Sequence, residues 1–179
     1  MTKRARAEPT AATLPDILST GLSVVFCGIN PGLHAATVGH HFAGRSNRFW
    51  RTLHFAGFTP HEIRPENDRD ILEYGCGLTT VVPRATVSAD QVARHEFVAA
   101  ARDFERKIRR YAPRHVAFLG KVAYATLTRQ RQVDWGLQPE SFGGAGAWVL
   151  PNPSGLNRAF RLVDLVAAYR ELRLAIDRA

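Results

Sequence analysis

Sulfur is scarce in this sequence: 179 residues include two cysteines, Cys27 and Cys76, and one methionine. Two cysteines cannot supply the four thiolates of a structural zinc site or of an iron–sulfur cluster within one chain. Cys27 lies in an apolar run and Cys76 between Gly75 and Gly77, so both read as reduced, structural thiols rather than as a disulfide. Long hydrophobic runs are also missing, and no apolar stretch approaches the ~20 residues of a membrane span. The opening residues, Met1 to Pro9, are basic, but no apolar stretch follows them as it would in a secretory signal. The expectation is a cytoplasmic protein with no membrane contact. Acidic residues are few as well: 16 Asp and Glu stand against 24 Lys and Arg, a net charge of +8. Such an excess favours a polyanionic partner, because basic side chains release condensed counterions when they neutralise phosphates.

What is present is the pattern of one α/β domain. Residues 1–13 are basic, rich in Ala and Thr, and aperiodic, which predicts a disordered tail, and no linker divides 14–179. Leu22–Ile29 is almost uniformly apolar and stops at Asn30-Pro-Gly32, as a strand buried on both faces would. Leu78–Val82, His115–Leu119 and Ala147–Leu150 read similarly and end at Pro83, Gly120 and Pro151. Helical spacing marks Asn47–Ala56, Gln91–Tyr111, Lys121–Thr128 and Arg161–Ile176, with Ser88 and Gln91 spaced as a capping box before the long one. Strands alternating with helices predict a three-layer α/β/α fold around a mostly parallel sheet, with right-handed crossovers placing helices on both faces. Sites in such sheets lie beyond the carboxyl ends of the strands.

Two strand ends carry unusual loops. Gly28-Ile-Asn-Pro-Gly-Leu33 is either a plain turn or a rigid mount for the Asn30 carboxamide, which can accept from a water but is a poor proton acceptor. Asn152-Pro-Ser-Gly-Leu-Asn-Arg158 repeats the asparagine–proline chemistry after the last strand. Its Leu156 is either tucked into the core or an apolar wedge that fills the gap left by an extruded base. Gly155 would let backbone come close to a ligand.

Together the two loops, in this order and context, resemble the mismatch-specific uracil-DNA glycosylases, in the branch of the uracil-DNA glycosylase superfamily that also holds the thymine-DNA glycosylases. The resemblance runs from about Ile17 to Leu174 and includes Asn47-Arg-Phe-Trp50, Tyr74-Gly-Cys-Gly-Leu78, Leu119-Gly-Lys121 and Ala168-Tyr-Arg-Glu-Leu172. It implies the fold of that superfamily and a monomeric, monofunctional DNA-repair enzyme without metal or cofactor. The implied reaction is hydrolysis of the N-glycosidic bond of uracil opposite guanine in double-stranded DNA. It further implies that Asn30 positions the attacking water, that Phe42 stacks on the flipped base (or is an ordinary core aromatic), and that Ile29 and Asn47 belong to the base pocket. Asn152 and Ser154 would belong to a phosphate-binding loop, Gly155 and Asn157 would read the widowed guanine through their backbone, Leu156 would enter the stack, and Arg158 would support it. The family pattern often has Ser where Asn157 stands, a change that backbone readout survives.

Two further positions depart from the family pattern. Thr80 stands where Lys is frequent, so no catalytic or phosphate role carries over to it. Asp90, read as opening the long helix, is either a charge favoured by the helix dipole or a carboxylate near the sugar that acts as a base. Lys121 is an unspecific candidate for a phosphate contact. His34, His40 and His41 suggest a metal cluster, but no further ligand lies at useful spacing and the segment reads as a mobile loop. Phe142-Gly-Gly-Ala-Gly146 reads as a hairpin or turn, and the bases of Arg102–Arg110 as largely solvated. A thymine- or adduct-preferring glycosylase, a non-catalytic binder of DNA damage, and a nucleotide-binding α/β enzyme are the alternatives. The last is disfavoured because no phosphate loop is present.

Overall fold

Apolar residues that alternate between two faces of short strands divide the core in two. The computed structural model describes residues 13–178; the segment expected as a tail lies, but for Thr13, outside the described residues. Strands β1 (Val24–Gly28), β2 (Cys76–Thr80), β3 (His115–Leu119), β4 (Gly136–Leu137) and β5 (Gly146–Leu150) form one sheet in the order β2-β1-β3-β5-β4, parallel except for β4. Val24, Phe26, Leu78, Ala117, Leu119 and Leu150 face helices α2 (Phe49–Ala56) and α5 (Leu162–Arg178). Cys27, Val116, Phe118, Ala147 and Val149 face α3 (Arg94–Tyr111) and α4 (Lys121–Thr128). The expected three-layer α/β/α architecture is therefore present. Each fully buried phenylalanine in these layers is worth about 1.5–3 kcal/mol.

Several boundaries move for local reasons. The second strand begins two residues before Leu78, because Cys76 pairs with Val24 directly after Gly75 turns the chain at φ 69°. The long helix does not begin at Gln91: Val92 is extended, so Ala89–Gln91 forms a separate 3-10 turn. Gln91 Oε1 caps that turn, accepting from the amides of Val87 (3.1 Å) and Ser88 (3.4 Å). The long helix is capped instead by Glu96 Oε1, which accepts from the Ala93 amide at 3.0 Å. Helix α1 (Leu33–Val38) replaces the expected mobile loop, and 3-10 turns occupy Pro65–Tyr74. Phe142 and Ala145 pair across a turn into β5, as expected for the glycine-rich segment.

Cys27 and Cys76 are free and buried on opposite faces of the sheet, which keeps them from bonding to each other. Burial pushes the Cys76 thiol up to about 12 and the Cys27 thiol up as well. No helix among the described residues is long and apolar enough to cross a membrane.

The strand order sets the place for chemistry. The connection from β1 leads to β2 on one side, and the chain then crosses to β3 on the other, so a crevice opens at the carboxyl ends of β1 and β3.

Candidate active site

A cleft of about 510 Å³ occupies that crevice. It is walled by the loop after β1 (Ile29, Asn30), the segment after β2 (Thr86 to Ala89), Phe42 and Asn47, and the loop after β5 (Asn152, Ser154, Gly155, Leu156). Residues far apart in sequence thus meet because parallel strands deliver all their carboxyl ends to one edge.

Asn30 is held by two side-chain hydrogen bonds in the cleft. Its Nδ2 donates to the Arg84 carbonyl at 2.8 Å and to Thr86 Oγ1 at 2.7 Å. A backbone carbonyl only accepts, so the amide nitrogen must be the atom facing it, and the orientation of the carboxamide is fixed. The Thr86 hydroxyl donates its one proton to Ser88 O at 2.8 Å and so must accept from Asn30. The carboxamide oxygen is therefore turned away from residues 84–86 and remains free to accept. Aspartate could not replace this group, since it would set a carboxylate oxygen against the Arg84 carbonyl.

The support is rigid. The ladder between β1 and β2 continues past both strands, with Val81 donating to Gly28 O, Val82 to Ile29 O, Thr86 to Pro31 O and Leu33 to Thr86 O, at 2.9–3.1 Å. Arg84 itself is gripped by Glu96 through two contacts of 2.7 Å, which hold the Glu96 carboxyl down at about 2.

Phe42 has a left-handed backbone, φ 56°, a conformation that costs a non-glycine residue on the order of 1–3 kcal/mol. Its neighbours maintain it. The His41 amide donates to Asp68 Oδ2 at 2.8 Å, the Trp50 indole donates to His41 O at 3.1 Å, and the Phe42 ring stacks on Phe49 with centroids 3.9 Å apart. One face of the ring is covered by Phe49 while the residue lines the cleft. Phe42 therefore both packs against the core and lines the cleft. Asn47 also lines the cleft, and its Oδ1 accepts from the Phe49 amide at 2.9 Å, so it caps the start of α2 as well.

The loop after β5 is tied to itself. Asn152 Oδ1 accepts from the Ser154 amide (2.9 Å), Ser154 Oγ from the Leu156 amide (3.3 Å), and Asn157 Nδ2 donates to Asn152 O (2.9 Å). A Cβ on Gly155 would lie 2.4 Å from Ser46 Cβ and 2.6 Å from Ser46 O, so only glycine fits. Leu156 is 69% exposed, which decides against the core position. Arg158 is exposed at the loop's far end.

The remaining candidates lie elsewhere or do other work. Asp90 is exposed in the 3-10 turn; its neighbours Ser88 and Ala89 line the cleft and it does not. It does not open the long helix, and one 3-10 turn has little dipole to complement. We expect Asp90→Ala to leave both base release and stability unchanged, the latter within about 0.5 kcal/mol. A fall in single-turnover rate with the acid limb of the pH profile flattened would restore it as a base.

Lys121 starts α4 outside this cleft, with its ammonium 4.6 Å above the Trp135 ring, a cation–π contact. Thr80 lines the cleft floor. His34 is exposed at the rim, while His41 is buried with Nε2 2.8 Å from Pro15 O, and burial pushes its pKa down. His40 Nδ1 lies 3.6 Å from Asp68. Among the described residues, no group of three or more His, Cys, Asp and Glu is arranged to hold a metal. In the basic helix, Arg106 pairs with Asp103, Arg109 with Glu105 and Lys107 with Asp16. Sequence reasoning assigned no role to Thr86 or to Arg48, although Arg48 lies within Asn47-Arg-Phe-Trp50.

A model of the uracil DNA glycosylase superfamily matches residues 15–173 of this chain. Among solved structures, the fold is similar to the solution NMR structure of a candidate uracil DNA glycosylase from Methanosarcina acetivorans. The two share 21% identity and a TM-score of 0.61 over 91% of this chain and 98% of that one, a likeness of fold.

Proposed function

The chain belongs to the uracil DNA glycosylase superfamily, and from that premise we propose a mismatch-specific enzyme of its thymine-DNA glycosylase branch. Membership carries the general activity, hydrolysis of the bond between a base and its sugar in DNA. The finer reading is a monomeric, monofunctional, cytoplasmic enzyme that flips uracil, or a related pyrimidine such as ethenocytosine, from opposite guanine in a duplex.

The observation that carries the reading is the fixed Asn30 carboxamide, whose oxygen is left as an acceptor at the cleft. Asp90 does not line the cleft and the Glu96 carboxylate is held by Arg84, so the reading relies on no strong base. Hydrolysis without a strong base is feasible when the leaving group is good. The C1′–N1 bond breaks with its electron pair going to the base. The oxygen of a water held by Asn30 bonds to C1′, and the proton released passes to solvent or to the departing pyrimidine. Such a water needs placement more than deprotonation, and placement alone lowers a barrier by several kcal/mol. Uracil and exocyclic adducts leave well as anions, and cytosine does not, which sets the substrate range.

Within the cleft Phe42 offers its uncovered side to the flipped base, and Ile29 and Asn47 close the pocket. Asn152 and Ser154 lie where the loop after β5 meets the cleft, in place to take a phosphate. Leu156 would enter the stack as the base leaves it, Gly155 and Asn157 would meet the widowed guanine through backbone groups, and Arg158 would reach the phosphates. If Arg158 does so, Arg158→Ala lowers the slope of log affinity against log salt by about one. An unchanged slope would remove it from the interface. The whole reading is tested by release of free uracil from a U·G duplex, leaving an abasic site.

A further inference from the structure

Arg48 is half-buried at the start of α2, opposite the loop that follows β5. Its guanidinium donates to four carbonyls of that loop. Nε reaches Pro153 O at 3.3 Å, Nη1 reaches Phe160 O at 2.6 Å, and Nη2 reaches Ser154 O at 2.8 Å and Asn157 O at 2.9 Å. The backbone amide of Arg48 adds a bond to Pro153 O at 3.0 Å. Two residues earlier, Ser46 is the surface against which Gly155 is pressed. Residues 46–48 thus form a saddle on which the loop is seated.

The chemistry of the fork matters. A guanidinium presents five N–H donors in one rigid plane, whereas an ammonium has three on a flexible stem. Four acceptors spread over residues 153–160 are consequently held in fixed relation by one group. The loop's internal bonds tie 152 to 157 and Asn157 to Ala159, but none of those side-chain bonds spans from Pro153 to Phe160. Among the described residues, no carboxylate forms an ion pair with Arg48. It is therefore paired only with carbonyls, all of them in the one loop that carries the exposed Leu156.

We propose that Arg48 is a positioning residue for duplex engagement, its planar fork fixing the height and direction at which Leu156 and the backbone of Gly155 and Asn157 meet the DNA. This rests on the reading of Leu156 as the element that enters the stack. Arg48 touches neither base nor sugar. Its contribution appears only where the loop must replace a base in a stack, and is absent where no stack exists.

The experiment compares single-turnover uracil release from a U·G duplex and from the same strand alone, for wild type, Arg48→Lys and Arg48→Gln, at matched folded fraction. Both variants are expected to lose about 10- to 100-fold on the duplex, the scale of a misplacement of about 1 Å, and to stay near wild type on the single strand. Lysine, which keeps the charge and loses the fork, should not rescue. In a Leu156→Ala background, Arg48→Lys should cost little more. Hydrogen exchange of the amides of residues 153–160 should speed up in Arg48→Lys, a readout independent of activity. Equal losses on both substrates, full rescue by lysine, or unchanged loop exchange would overturn the proposal. A wild-type protein that releases no base, or a Leu156→Ala variant with no duplex-selective loss, would instead defeat the reading on which it rests.

Discussion

Replacing Asn30 by alanine is expected to slow single-turnover release of uracil from a U·G duplex by about 10²-fold or more, while binding of that duplex is retained. The side chain makes its two bonds to Arg84 O and Thr86 Oγ1 at the cleft wall, so its removal leaves the strands and both core layers untouched. What is lost is the acceptor proposed to place the water. Thr86→Val removes one of the two restraints on the carboxamide and keeps the other, so its rate should fall between wild type and Asn30→Ala. Asn30→Asp should be no better than alanine despite keeping an oxygen at the same place. Near-normal cleavage by Asn30→Ala would contradict the role given to this side chain.

Leu156→Ala should separate substrates rather than lower activity uniformly. Drawing a base out of a duplex costs a few kcal/mol, which an inserted side chain offsets in part, whereas an unstacked strand requires no such compensation. A loss of about tenfold or more on the U·G duplex, with the single strand affected far less, is the expected pattern. Because Leu156 is 69% exposed, truncation opens no cavity, and stability should stay within about 0.5 kcal/mol of wild type. Parallel losses on the two substrates, or a marked drop in thermal stability, would count against insertion into the stack.

The strands were legible because each is a short run buried on both faces and punctuated by turn residues, as with His115–Leu119 ending at Gly120. β4 was not, since Gly136 and Leu137 offer two residues and no alternation. Helix α1 escaped because six residues between two glycines make fewer than two turns, too little for a periodic signal. At the site, Asn30 and the 152–158 loop stood out through turn chemistry at strand ends, and the structure brings them to one cleft. Asp90 was misplaced because a capping box one turn early looks the same in sequence as one that opens the long helix. The contacts of Thr86 and Arg48 could not be read, since the partners that give them meaning are 56 and 105 or more residues away.

The proposed roles converge on one reaction, water placed by a fixed carboxamide at the sugar of a base flipped from a guanine mispair. The most direct test is single-turnover incubation of the wild-type protein with matched duplexes carrying U·G or U·A and with the uracil strand alone. Free uracil and an alkali-labile abasic site, formed fastest from U·G, are the predicted result. Firm binding to the U·G duplex with no base released would contradict it and would leave a protein that recognises damage without removing it.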